Sequence, residues 1–170
     1  MIKRFILFIS AITILAGCAG QDADDLMKQA SDLQKDEKPS EALVIYEQIT
    51  REFAESPQAP EAMFRCALIY INEQGDPVKA ATTYELVSEK YPDSEWGHKG
   101  LFAAGYTYAN DIANLERART AYEKYLTQYP DSSMTETVRF ELENLGKSAE
   151  ELLESIQESQ STLSEDGNGN

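Results

Sequence analysis

Two thiols, one imidazole and a recurring carboxylate are the groups in this chain whose types could do chemistry: Cys18, Cys66, His98 and the series Glu47, Glu85 and Glu123. A lone histidine has no second group to orient it as a base, so His98 reads as a surface residue. The glutamates recur at one constant interval, which marks them as structural or solvating positions rather than as an acid/base pair. Cys66 lies in an apolar run, where a free cysteine behaves as a small buried hydrophobe. Cys18 ends an amino-terminal stretch of different character, so a disulfide between the two is not expected. The sequence holds no phosphate-cradling glycine loop, paired-histidine metal site, nucleophile elbow or cysteine cluster. The expectation is a chain that is not an enzyme and needs no cofactor or metal.

The elements that must carry any function are written in a repeat. Ala42, Tyr46, Glu47, Ile49, Phe53 and Ser56 become Ala80, Tyr84, Glu85, Val87, Tyr91 and Ser94 on adding 38, and Ala118, Tyr122, Glu123, Tyr125, Tyr129 and Ser132 on adding it again. A period of this length carried at helical offsets predicts stacked helical hairpins, an all-α solenoid. In the first hairpin Leu26, Met27, Ala30 and Leu33 line one helix, and Asp22, Asp24 and Asp25 favour its positive end. Lys35-Asp36-Glu37-Lys38 is the turn, and Pro39 starts the second helix. The second hairpin places Met63, Cys66, Ala67 and Tyr70 inward and turns at Gly75-Asp76-Pro77. The third does the same with Leu101, Ala104, Gly105 and Tyr108 and turns near Asn110-Asp111. Small residues (Ala30, Ala67, Gly105, Ala42, Ala80, Ala118) leave room for close helix approach. Trp96 is expected to pack against the turn before it, a partner-facing anchor being the alternative.

Residues 133–158 read as a helical pair or cap, with Ser133/Glu136 and Ser148/Glu151 as capping boxes and Leu152, Leu153 and Ile156 as an apolar stripe. Residues 159–170 are rich in Ser, Gly, Asn and acid, the composition of a disordered tail. Acidic residues number 30 against 15 basic, and without Lys3 and Arg4 the basic count is 13 and the balance −17. Such a surface repels nucleic acid and anionic head groups. It reads as a solubilising coat, with selection of partners by charge as the alternative.

These hairpins resemble the tetratricopeptide repeat over residues 24–132. The first helix carries a large, then a small, then an aromatic residue; the second carries Ala-x3-aromatic and a late proline, here Pro92 and Pro130, with Ala54 departing from the pattern. The resemblance implies a peptide-binding face built from the first helix of each hairpin: Met27, Phe64, Leu68, Asn72, Phe102, Tyr106 and Asn110. The same residues packing between hairpins is the alternative. Asn72 and Asn110 resemble the amides that grip peptide backbones in this family, whereas the basic residues of its carboxylate clamp are missing.

Residues 1–17 have a basic start at Lys3-Arg4 and an apolar run from Phe5 to Ile14, too short to span a bilayer, and read as a secretion signal. Leu15-Ala16-Gly17-Cys18 resembles a bacterial lipobox. That implies lipidation of Cys18, a mature chain beginning there, and a stable tether once more than one acyl chain is attached. Ala19 after the cysteine points to the outer membrane. Lipobox and repeats together resemble bacterial envelope lipoproteins, notably the tetratricopeptide subunit of the β-barrel assembly machinery, and also the repeat domain of the periplasmic Tol-Pal-associated protein. The chain has about three clear repeats where the former has five, and lacks the coiled coil of the latter. The expectation is a lipid-anchored scaffold for other envelope proteins or peptides on the periplasmic side of the outer membrane. A structural lipoprotein that binds peptidoglycan or lipid is the alternative.

Overall fold

A computed structural model describes residues 22–154 and Gln157. The signal segment, Cys18, Ile156 and the tail from 159 lie outside the described residues. The architecture is all-α: α1 (Ala23–Lys35), α2 (Pro39–Glu52), α3 (Ala59–Asn72), α4 (Pro77–Lys90), α5 (Glu95–Asn110), α6 (Leu115–Gln128) and α7 (Thr135–Glu143), followed by a helical segment over 149–154. Each helix packs on the next in chain order, and α3 also touches α5 directly. The stack of hairpins expected from the repeat is therefore present.

Turn chemistry explains the hairpins. Pro39 and Pro77 occupy the first turns of α2 and α4, where a missing N–H costs nothing. The residue before each second-helix cap is left-handed: Glu37 at φ 58°, Gly75 at φ 61° and Ala113 at φ 56°. The next N–H then closes back on the first helix, from Lys38 to Leu33 O at 2.9 Å, Asp76 to Tyr70 O at 2.9 Å and Asn114 to Tyr108 O at 2.8 Å. Only glycine takes that conformation without Cβ crowding. A Cβ at Gly75 would meet nothing within 4 Å, so the substitution isolates the backbone cost. Ala113→Gly is expected to raise unfolding free energy by about 1 kcal/mol and Gly75→Ala to lower it by about as much, read from urea midpoints. No gain at Ala113 would mean that its turn is not left-handed in solution.

The helices approach where residues are small. Ala30, Ala42, Ala67, Ala80 and Ala118 are all 0% exposed. At Gly105 an added Cβ would sit 2.5 Å from the Tyr122 ring. Tyr46, Tyr84 and Tyr122 fill the remaining volume; the Tyr46 hydroxyl donates to Gln34 Oε1 at 2.6 Å, while the buried Tyr122 hydroxyl has no partner among the described residues.

A second repeated device joins successive hairpins. The Tyr70 hydroxyl donates to Glu47 at 2.6 Å and the Tyr108 hydroxyl to Glu85 at 3.0 Å. A cation at the equivalent position of each hairpin sits over the ring: Lys79 Nζ 3.8 Å from the Tyr70 centroid and Arg117 Cζ 4.2 Å from that of Tyr108. Arg117 also pairs with Glu85 at 2.8 Å. Glu47 and Glu85 are thus structural. Glu123 is exposed, because the position one repeat after Tyr108 is Gly146, which has no ring to offer it.

Two local expectations change. Ser133 does not cap α7; it lies in the turn before Thr135, and no side chain caps that helix. Ser148 and Glu151, by contrast, do form their reciprocal box, at 2.7 and 3.2 Å. His98 is not a free surface residue but half-buried, its ring stacked 3.9 Å from that of Tyr129, because α5 runs beneath the end of α6.

Candidate functional site

The first helices of the second and third hairpins, α3 and α5, leave a groove of about 460 Å³ between them. Helical spacing sets its walls. Phe64, Leu68 and Asn72 stand four apart on α3, and Phe102 and Tyr106 four apart on α5, so each set forms one stripe. Tyr84 of α4 supplies part of the floor, and Lys99, Asp111 and Met134 are also in the lining. Large residues hold the walls apart: the Phe64 ring lies 4.9 Å from Tyr84 and 5.1 Å from Trp96, and the Phe102 ring 6.2 Å from Tyr122. Tyr106 is 47% exposed at the rim.

Five of the seven residues expected on this face therefore meet in one place: Phe64, Leu68, Asn72, Phe102 and Tyr106. Met27 does not join them, being half-buried against the core on α1. Asn110 turns away, donating its amide to Tyr106 O at 3.0 Å and lining a separate polar depression with Asn144. The paired amides of the expected grip are thus not both in the groove. Phe140 was not anticipated. It stands one repeat after Phe102 and two after Phe64, and is 49% exposed on α7; one more addition of the repeat length finds it.

Trp96 has a contact that the sequence did not point to. Its ring packs on Phe64 of the preceding hairpin, with Lys99 Nζ 4.5 Å and Arg65 Cζ 5.8 Å from its centroid. Both cations have partners on their own helices, Arg65 with Glu61 at 2.9 Å and Lys99 with Glu95 at 2.6 Å. Phe64 and Lys99 of this cluster line one end of the groove, and Asp111 lines the other.

The groups capable of reaction lie elsewhere. Cys66 is 3% exposed, and burial pushes its thiol up to about 12, so it is not a poised nucleophile. The groove itself is an apolar surface with a few polar groups at its ends, an arrangement suited to recognition.

Residues 61–94 and 100–132 match the family model of the tetratricopeptide repeat, spans that run from within α3 to the end of the α4 turn and from within α5 to the end of the α6 turn. No curated protein matches the chain. Tetratricopeptide arrays are typically non-catalytic scaffolds for protein interaction. With two hairpins matching that repeat and α1 and α2 stacked on them in the same manner, the described residues form an all-α solenoid of stacked helical hairpins that carries tetratricopeptide repeats at 61–94 and 100–132.

Proposed function

We propose that this chain is a lipid-anchored, non-catalytic scaffold on the periplasmic side of a bacterial outer membrane, and that it takes peptide segments of other envelope proteins in the α3/α5 groove. The observation that carries the reading is the groove, where apolar and aromatic side chains that could have been buried between hairpins instead line about 460 Å³ of open space. Helix-built grooves of this composition are the usual seats of peptide segments. The anchor rests on the lipobox resemblance around Cys18 and the location on Ala19.

Phe64 and Phe102 belong to different helices and share the groove, so they are the pair to change. Phe64→Ala with Phe102→Ala is expected to abolish recovery of crosslinked envelope partners, with the helical circular dichroism signal retained. Undiminished recovery would remove the groove from the function. Peptidoglycan sedimentation indifferent to the pair would point to a structural lipoprotein instead. Cys18→Ala is expected to release the protein into the soluble periplasmic extract; retention in membranes would show that the thiol is not its anchor.

A further inference from the structure

The groove is electrically one-sided, and that asymmetry describes its occupant. At the Trp96 end the cations are already engaged, Lys99 by Glu95 and Arg65 by Glu61. The far end is formed by the carboxyl termini of α3 and α5, at Asn72 and Asp111. A helix carboxyl terminus carries about half a negative charge, which chains commonly offset with Lys or Arg in the last turn. Helices α1, α2 and α4 do so, with Lys35, Arg51 and Lys90, whereas α6 and α7, away from the groove, do not. Neither α3 nor α5 has a basic residue there, and the exposed Asp111 carboxylate forms no ion pair among the described residues. Two uncompensated helix ends and a carboxylate thus meet at one mouth of an apolar groove, on a chain whose formal charge is −15.

Resting on the scaffold reading above, we infer that the occupant is an extended peptide segment with an aromatic or large aliphatic side chain between Phe64 and Phe102, and a lysine or arginine about four residues along that reaches Asp111. The spacing follows from geometry. Phe64 and Asn72 lie eight residues apart on α3, roughly 12 Å of helix, which an extended strand at about 3.3 Å per residue covers in about four residues. The apolar side chain supplies burial, and the cation fixes register and direction by cancelling charge that the fold leaves open.

Random twelve-residue peptides displayed on phage are to be selected on the full chain purified in detergent. Enriched peptides are expected to pair an aromatic or large aliphatic residue with Lys or Arg three to five positions away and to lose binding to Tyr106→Ala. Asp111→Lys is expected to weaken such a peptide about fivefold at low salt and to strengthen its Lys→Glu counterpart. Groove-dependent peptides that lack the cation, or ignore Asp111→Lys, would overturn the inference and leave the scaffold reading standing. Peptides that bind the Phe64→Ala, Phe102→Ala chain as well as the parent, or no enrichment at all, would count against both.

Discussion

Above about pH 10 the solenoid is expected to unfold, with helix loss and tyrosinate formation occurring together. Of the buried tyrosines, four have their phenols pushed up furthest: Tyr70 at 6%, Tyr84 at 3%, Tyr108 at 1% and Tyr122 at 0% exposure. Burial is the leading cause that pushes each phenol upward, helped by Glu47 beside Tyr70, Asp111 near Tyr84, Glu85 beside Tyr108 and Glu141 near Tyr122. Tyr84 reaches about 12, against an ordinary value near 10. Cys66 likewise rises to about 12, again chiefly through burial. Below the ordinary values folded and unfolded chains are equally protonated, so nothing is lost. As pH climbs past them the unfolded chain releases its protons while the folded chain holds them, and stability falls until the raised folded values are reached. Each such group costs at most about 1.4 kcal/mol per pH unit in that window. Four tyrosines together therefore remove on the order of 5 kcal/mol by about pH 11, comparable with the whole stability of an ordinary domain. Tyr122→Phe is the discriminating variant, because its hydroxyl has no partner among the described residues. Its removal is expected to be neutral or mildly stabilising at pH 7 and to delay alkaline unfolding. A helical signal that persists while all tyrosines titrate freely would show that these rings are not held away from water.

Gly97→Ala is expected to cost about 3 kcal/mol, the upper part of the range for overpacking. Elsewhere in a helix the same change gains up to about 1 kcal/mol. Here an added Cβ would overlap Tyr91 O and stand 3.0 Å from its carbonyl carbon. These are backbone atoms, which no rotamer change can move. Tyr91 O also accepts from Ser94 Oγ at 2.8 Å, and Ser94 Oγ accepts from Gly97 N at 2.9 Å, so making room for a methyl opens the cap of α5. The equivalent positions in the neighbouring repeats hold Ala59 and Thr135, so the repeat register alone would forecast tolerance. Urea midpoints for parent and variant decide the matter; equal midpoints would mean that the corner between α4 and α5 is looser than these contacts imply.

The hairpins, their turns and their buried faces were legible in the sequence because each is governed by local physics. Prolines at positions 39 and 77 start helices, small residues at 42, 80 and 118 fall where helices meet, and tyrosines recur at helical offsets. The groove was legible only in part. Register selected Phe64, Leu68, Asn72, Phe102 and Tyr106, which do meet, but also Met27 and Asn110, which do not. A repeat period says which positions are equivalent, not which side chains turn toward a shared space. Asn110 found a carbonyl on its own helix, a choice between rotamers that no spacing encodes.

The sequence by itself determined an all-α repeat array with its helix boundaries and core alanines and tyrosines, since helix propensity, turn conformation and apolar periodicity act within a few residues of each position. Only the tertiary structure decided that Glu47 and Glu85 lock to Tyr70 and Tyr108, that Trp96 rests on Phe64, that His98 lies under Tyr129 and that Gly97 cannot gain a methyl. Those contacts join residues on different elements, and they depend on distances and angles between helices that the packing of the whole array sets at once.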